Sequence, residues 1–128
     1  MSLVVPTVAK NKNLQEILNR ALTLRIYGNN HIPVIGDTAS SYTEIAGGGY
    51  ANVSLVYANW VITGGIASYP IQSFNFTGTL SAPGTTYGYY VTDVDGDVRW
   101  AERWEESVAG FAPVVGSLIK IKLKIQNS

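Results

Sequence analysis

The sequence of 128 residues contains no cysteine, a single histidine and few charged residues. The lack of cysteine excludes a disulfide framework, a thiolate metal site and a cysteine nucleophile. The single histidine, His31, excludes every metal or catalytic site that needs two or more histidines. Nine basic residues balance nine acidic ones, so net charge offers no attraction to nucleic acid or to an anionic membrane.

Targeting signals are missing as well. Residues 1–9 are largely apolar, but they contain Pro6 and no preceding basic residue, whereas a secretory signal needs a positive start and a continuous apolar run. No stretch reaches the roughly 18 apolar residues that a membrane helix needs. We therefore expect the protein to be made and folded in a cytoplasm, as one domain with its own core.

The first 21 residues are predicted to form an extended arm followed by a short helix. Residues 2–12 are predicted to be the arm, and Asn13 is a candidate N-cap with Glu16 three residues later. Apolar side chains then recur at helical spacing, at Leu14, Ile17, Leu18 and Ala21. A helix of this length is unstable alone. Its apolar face must therefore pack on the rest of the chain or on a partner.

From residue 22 onward the hydrophobic period changes to that of a strand. Leu22, Leu24 and Ile26 alternate with other residues. Between residues 119 and 125 aliphatic side chains alternate with lysines, which predicts one buried and one solvated face. About six to eight short strands, separated by turn signals, predict an all-β domain over residues 22–128, either a jelly-roll-like β-sandwich or a small barrel.

A hairpin is the most clearly defined of these units. Asp-Gly between two alternating runs is typical of a two-residue type I′ turn, because glycine accepts positive φ. Gly88 opposite Arg103 leaves room for the long side chain to lie flat. The cross-strand pairs predicted by this turn are Tyr87 with Trp104, Gly88 with Arg103, Tyr89 with Glu102, Tyr90 with Ala101, Val91 with Trp100, Thr92 with Arg99 and Val94 with Asp97. The structural residues of the hairpin are Asp95, Gly96, Tyr89, Trp100, Glu102 and Arg103.

The acidic residues around the turn could be considered for calcium. Asp93, Asp95 and Asp97 alternate, but the glycine stands at position 4 of the pattern instead of 6. Trp104 stands where an EF-hand needs a bidentate glutamate. We interpret these residues as a hairpin turn with soluble flanks.

Catalytic groups are equally scarce. Glu102, Glu105 and Glu106 are the clustered carboxylates, but nothing in the sequence brings two of them into one cleft. His31 has no G-x-S-x-G nucleophile to act with, and we expect it to make a local hydrogen bond. The run Gly47–Gly49 lacks the context of a phosphate-binding loop and predicts a turn or bulge. We therefore predict no enzyme activity, no cofactor and no metal.

Two further patterns could bind other molecules. Several aromatic residues of the hairpin could form a stacking platform for a sugar or a base, although their alternation fits packing in a core or on a sheet face better. They are Tyr87, Tyr89, Tyr90, Trp100 and Trp104. Lys120, Lys122 and Lys124 are typical of a solvated strand face rather than of a nucleic-acid track.

Several segments together resemble a known group of proteins. They are Leu24–Asn30, Tyr42–Glu44, Gly47–Ala51, Tyr87–Val91, Trp100–Arg103 and the closing strand after Gly116. In these segments, spread over roughly residues 22–125, the chain resembles small structural proteins of tailed-bacteriophage virions. The shared motifs are structural and include no catalytic signature.

The resemblance implies a role in virion assembly. The expected role is a capsid decoration (cement) protein, and the alternative is a tail-associated accessory that binds a receptor or a carbohydrate. The expected partners are the major capsid protein or other virion subunits, together with further copies of the chain, most simply as a trimer. An arm can make such contacts by pairing with a neighbouring sheet edge. The predicted contact residues are Val4, Val5, Pro6, Val8, Leu14, Ile17 and Leu18.

Overall fold

A computed structural model describes residues 6–104 and 110–126 of the chain. Within those residues it has one α-helix, two short 3-10 helices and nine strands. The helices are α1 (Thr7–Leu18) and the 3-10 turns Ala39–Ser41 and Tyr57–Asn59. The strands are β1 (Leu22–Tyr27), β2 (Val53–Leu55), β3 (Val61–Thr63), β4 (Ile66–Ser68), β5 (Gln72–Asn75), β6 (Gly88–Thr92), β7 (Val98–Arg103), β8 (Leu118–Ile121) and β9 (Lys124–Gln126).

These strands form three antiparallel sheets. The largest has the order β2-β1-β6-β7, the second has the order β3-β4-β9, and the third pairs β5 with β8. The predicted all-β class with one helix is therefore confirmed. Among the described residues, no helix is long and apolar enough to cross a membrane.

The start of the helix corrects the sequence-based prediction. Helix α1 begins at Thr7 and not after Asn13, so residues 7–12 are helical and not an extended arm. Residues 2–5 of the predicted arm lie outside the described residues, and Pro6 has extended backbone, with φ −60° and ψ 152°. Its carbonyl accepts the first helical hydrogen bond, from the Lys10 N–H at 3.0 Å. Proline has no backbone N–H. It is tolerated at the start of a helix, because the first N–H groups of a helix have no acceptor within it.

Tertiary contacts explain why the helix starts early. The Asn11 side chain accepts a hydrogen bond from the Gly65 N–H at 2.8 Å, in the turn between β3 and β4. Leu14 and Leu18 are each 1% exposed and belong to the same core as the strands. A polar segment of average helix propensity is thus held helical by a distant part of the chain, which propensity alone does not predict.

The β6–β7 hairpin has the predicted register along most of its length. The pairs that agree with the prediction are Gly88 with Arg103, Tyr89 with Glu102, Tyr90 with Ala101 and Val91 with Trp100. The prediction is wrong at the tip, where Thr92 pairs with Val98 and Arg99 falls in a bulge. Asp97 lies opposite Asp93 and not opposite Val94, since the Asp93 N–H donates to the Asp97 carbonyl at 3.0 Å.

The tip itself has three loop residues and not two. The Gly96 N–H donates to the Asp93 carbonyl at 3.0 Å, and Gly96 has a φ of 85°. The Asp93 side chain accepts hydrogen bonds from the N–H groups of Asp95 and Asp97, at 2.9 and 3.0 Å. Asp93 therefore stabilises a three-residue loop with a bulge over the turn that Asp-Gly alone predicts.

The lysine-backed segment near the end of the chain is two strands. β8 pairs with β5, and β9 pairs with β4. The predicted alternation is confirmed, since Ile121 and Leu123 are buried while the lysines are exposed. Both strands lie at sheet edges, where lysines oppose pairing with other chains.

The two faces of β1 contribute to two apolar clusters. Because side chains alternate along a strand, Leu24 and Ile26 face the large core while Tyr27 faces the other way. Tyr27, Tyr42 and Tyr90 form the smaller cluster, which we call the tyrosine cluster.

Candidate partner-binding surface

A loop with three exposed aliphatic side chains follows β1. Ile32, Val34 and Ile35 have relative exposures of 69%, 62% and 105%. Single exposed hydrophobic residues are ordinary, but exposed apolar residues grouped together mark interaction sites. We call residues 31–37 the apolar loop.

The Asp37 carboxylate ties this loop together. Its Oδ2 accepts hydrogen bonds from the Tyr42 hydroxyl at 2.6 Å and from the Val34 N–H at 3.0 Å, and it lies 2.8 Å from His31 Nε2. These partners, Tyr42 foremost, lower the pKa of Asp37 to about 2. The carboxylate is therefore charged at neutral pH and holds the loop backbone in place. The local hydrogen bond expected of His31 is observed here.

The tyrosine cluster forms the floor of the apolar loop. Tyr42 stacks on Tyr90 with ring centres 4.8 Å apart, and it meets Tyr27 edge-on at 5.0 Å. The Tyr27 hydroxyl donates to the His31 carbonyl at 3.0 Å. Burial raises the pKa of Tyr27 to about 12, so the hydroxyl keeps the proton that this hydrogen bond needs. The loop thus rests on packed rings and fixed hydrogen bonds.

Gly88 makes room for the tyrosine cluster. A Cβ at this position would lie 2.7 Å from the Tyr27 ring and would collide with the Glu102 carbonyl oxygen. The expectation that Arg103 uses this space is wrong, because Tyr27 occupies it. The Arg103 guanidinium lies 5.0 Å from the centre of the Tyr87 ring and donates to the His31 carbonyl at 3.2 Å.

A groove of about 390 Å³ runs between the apolar loop and β7. Residues 33–37 line one side and residues 98–101 line the other, with Tyr42 between them. β7 ends its sheet, and its outer edge pairs with no strand in the part of the chain that the structure describes. The groove therefore combines apolar side chains with an open strand edge.

The contact residues predicted in the N-terminal arm and helix differ in where the structure places them. Val4 and Val5 lie outside the described residues. Leu14 and Leu18 are buried in the chain's own core, so the prediction that they contact a partner is wrong. The chain's own core already covers these two side chains, so neither is left for another protein.

The other predicted contact residues lie on the exposed side of α1 or directly before it. Pro6, Val8 and Ile17 are exposed, with Val8 at 65% and Ile17 at 38%. A polar groove of about 340 Å³ lies between the same helix and Tyr57, whose exposure is 37%. Its other lining residues are Lys12, Gln15, Glu16 and Asn19.

The aromatic residues of the hairpin mostly pack inside the protein. Tyr89 is 7% exposed, and burial foremost, with nearby Glu102, raises its pKa. The half-buried Trp100 meets Trp60 edge-on with ring centres 6.3 Å apart. Packing is thus confirmed for Tyr89 and Tyr90, which cannot serve as an exposed platform.

The other groups considered for chemistry have structural surroundings. The carboxylates of Asp93, Asp95 and Asp97 lie within 4.8 Å of one another, but Asp93 already accepts the hydrogen bonds of the turn and lies 3.6 Å from Arg99. This arrangement agrees with the turn interpretation.

The remaining groups considered for chemistry are three glutamates and a glycine run. Glu102 is exposed on β7, whereas Glu105 and Glu106 lie outside the described residues. Gly47–Gly49 has positive φ throughout, as expected of a turn. A Cβ on Gly48 would approach the Gly78 carbonyl oxygen at 2.8 Å, so these glycines allow two backbone segments to pack closely.

Comparisons of the chain with family models, with curated proteins and with solved structures found no match. The geometry of the described residues must therefore carry the functional interpretation. Sequence reasoning missed the apolar loop, although a signal was present. The run Ile32–Ile35 is apolar in a segment whose glycine, asparagine and aspartate residues predict a solvated loop.

Proposed function

We propose that this protein is a structural protein of a tailed-bacteriophage virion, a capsid decoration (cement) protein that binds and stabilises the shell. The apolar loop carries the proposal, because it presents Ile32, Val34 and Ile35 on a backbone already held by Asp37 and the tyrosine cluster. A preordered loop binds without first losing conformational entropy. The resemblance of the sequence motifs to virion proteins supports the same assignment.

A contact of this size suits a protein that acts in many copies. Burying one aliphatic side chain contributes about 1.5–3 kcal/mol, and docking costs translational and rotational entropy. Three such side chains make one copy a weak binder. Joining copies raises the affinity through the high effective concentration of the remaining sites. The proposed partner is the major capsid protein or another virion subunit, and the proposed location is the virion.

The finer architecture belongs to the same proposal. The three sheets share one apolar core, and sequence-distant strands β1 and β6 are neighbours. Both features support a jelly-roll-like sandwich or a small barrel. Several copies around a shell would adopt closed cyclic symmetry, most simply that of a trimer.

Co-sedimentation of the full chain with purified shells tests the cement function. Ile35→Asp places a charge in the proposed contact and should abolish binding. Val115→Asp is the matched control, because Val115 is 76% exposed in another loop, and this variant should bind like the unmodified chain. Both changes should alter the free energy of unfolding by less than about 0.5 kcal/mol, since both positions are exposed. Full occupancy by Ile35→Asp would contradict the proposal.

The alternative function is a tail-associated protein that binds a receptor or a carbohydrate, and the groove beside Tyr57 favours it. One exposed aromatic ring beside lysine, glutamine, glutamate and asparagine side chains offers both stacking and directed hydrogen bonds. A sugar ring presents the matching combination of an apolar face and hydroxyl groups.

Tryptophan fluorescence titrated with host glycans tests this alternative. A saturable response that Tyr57→Ala removes would support it. Asn13→Ala, at an exposed helix position outside the groove, is the control and should keep the response. No response of the full chain to any glycan would count against the alternative. Locating the chain in intact particles separates the two functions, since a cement protein covers the shell and an accessory protein lies at the tail.

A further inference from the structure

Two adjoining grooves meet at Trp104, whose N–H donates to the Tyr87 carbonyl at the open end of the β6–β7 hairpin. The first has a volume of about 300 Å³, and its lining is aromatic and aliphatic, formed by Trp104, Phe111, Leu118 and Ile119. The second has a volume of about 220 Å³, and its charged lining residues are Glu102, Arg103, Lys120 and Lys122. We call the two together the Trp104 groove, which combines apolar contact with an excess of positive charge.

The apolar part of the Trp104 groove is exposed on a fixed backbone. Phe111 is 41% exposed, and Leu118 is 46% exposed. Phe111 and Thr86 exchange two backbone hydrogen bonds, at 2.6 and 2.8 Å, and Leu118 belongs to the pairing of β8 with β5. Exposed apolar residues grouped in this way mark a binding surface.

The charged part of the groove keeps two lysines exposed. Neither Lys120 nor Lys122 forms an ion pair with a residue that the structure describes. Arg103, by contrast, already lies against the Tyr87 ring. Glu102 offsets one of the three positive charges of the lining. The two lysines are therefore the cations that can receive an anionic partner.

The tip of the same hairpin, residues 93–97, carries the opposite charge. Its three carboxylates lie within 4.8 Å of one another, and Arg99, at 3.6 Å from Asp93, balances one of them. The other two are exposed and form no ion pair within the described part of the chain. Val94 is 79% exposed beside them. Because Asp93 holds the turn through hydrogen bonds, the tip is a fixed projection with one apolar and two anionic side chains.

The hairpin tip and the Trp104 groove are complementary. Val94 matches the apolar lining of the groove, and the carboxylates of Asp95 and Asp97 match the ammonium groups of Lys120 and Lys122. We propose that the hairpin tip of one copy docks in the Trp104 groove of a second copy. The inference deepens the proposed function, on which it rests in so far as shell binding needs joined copies. It uses no residue of the apolar loop.

A second copy is required because the tip and the groove lie at opposite ends of one hairpin. β7 has six residues, which at about 3.3 Å per residue place about 20 Å between the tip and Trp104. Pairing with β6 holds β7 extended over that length, so the tip cannot reach the groove of its own copy. Each copy thus offers one tip and one groove. A head-to-tail contact of this type closes into a ring when the rotation between copies permits, as in the proposed trimer.

Charge reversal tests this contact, and light scattering of the full chain over a range of concentrations measures it. The mass of the unmodified chain should rise with concentration. Asp95→Lys with Asp97→Lys should stay monomeric, because the tip then repels the lysines of the groove. Both positions are exposed and Asp93 is kept, so the thermal unfolding curve should not change. A monomeric unmodified chain, or a tip variant that associates normally, would overturn the inference.

A second reversal separates a specific contact from an effect of net charge. Adding Lys120→Glu with Lys122→Glu to the tip variant exchanges the charges of tip and groove and should restore association. The matched control adds Lys12→Glu with Arg20→Glu instead, at exposed positions that line neither part of the groove. Both combined variants have the net charge of the unmodified chain, but the control should stay monomeric. Restoration in both combined variants, or in neither, would overturn the inference.

The apolar part of the contact has its own test. Val94→Ser should weaken association several-fold, whereas Val61→Ser, at a residue 61% exposed on β3 and outside the groove lining, should not. Equal effects of the two changes would contradict the docking of Val94. All samples are compared with and without EDTA. Association that EDTA abolishes would assign the tip carboxylates to a metal ion and would overturn the inference as well.

Shell binding is scored separately by co-sedimentation. Ile35→Asp should lose shell binding but keep its association with other copies, so failure of the proposed function is distinguishable from failure of the contact between copies. Loss of self-association in Ile35→Asp would place that contact in the apolar loop and contradict the inference.

Discussion

Helix α1 and the apolar loop are two short segments with aliphatic side chains, but they differ in whether those side chains are buried. Leu14 and Leu18 of the helix are buried, whereas Ile35 of the loop is fully exposed. In the helix the backbone satisfies its own hydrogen bonds, so a whole face can press onto the sheets. In the loop the backbone groups bond to Asp37 and Tyr27 on the inner side. The comparison shows how a loop can expose apolar side chains. The inner side of this loop is occupied by its backbone hydrogen bonds to Asp37 and Tyr27, so its aliphatic side chains point to solvent.

The largest effect is expected at the buried face of the helix. Leu14→Ala should lower the free energy of unfolding by about 2–5 kcal/mol, because it leaves a cavity in the core. Ile17→Ala, on the exposed side of the same helix, should cost less than about 1 kcal/mol. Urea unfolding measures both values. Equal losses would mean that the helix does not pack through Leu14.

A smaller effect is expected under the apolar loop. Gly88→Ala should cost about 1–3 kcal/mol, because its Cβ overpacks the space held by Tyr27 and Glu102. It should also change the near-ultraviolet circular dichroism of the tyrosines. Gly84→Ala is the control, since a Cβ there meets nothing within 4 Å and the glycine does not need positive φ. A spectrum and stability equal to those of the control would contradict the described packing of the cluster.

The smallest effect concerns pH and the Asp37 carboxylate. The native pKa of about 2 lies below the ordinary value, so its stabilising contribution is present above about pH 4 and is lost as the pH falls through about 2. Asp37→Asn should lack this contribution, and its urea midpoint should fall less steeply between pH 4 and pH 2. Asp95→Asn, at the exposed tip of the hairpin, is the control variant. Parallel profiles for Asp37→Asn and the unmodified chain would show that the carboxylate does not hold the loop.

The strands were predictable because their signal is local. The alternation of aliphatic and lysine residues after 118 follows from a period of two. The register from Gly88 to Val91 agrees with the prediction because the bulge at Arg99 offsets the extra residue of the loop. The start of α1 was not predictable, because it depends on Gly65 far along the chain. The tip of the hairpin was missed because a side chain, Asp93, changed the turn that glycine favours.

The apolar loop shows the limit of sequence reasoning most clearly. Ile32 and Ile35 are the same residue type as Ile26, which is fully buried six and nine positions earlier in the chain. The isoleucine side chain itself does not separate the exposed pair from the buried one, although the flanking glycine, asparagine and aspartate residues indicate a loop. The hydrogen bonds to Asp37 and the tyrosine cluster, which join segments separated along the chain, decide the difference.

The sequence by itself determined that this protein is mostly β, that its last strands have one lysine face, and that it has no cysteine chemistry. These properties depend on composition and on spacing between near neighbours, which a chain carries in any conformation. The tertiary structure decided where the helix begins, which apolar residues are covered and which strand edge stays open. Those properties depend on contacts between distant segments, and such contacts exist only once the sheets have formed.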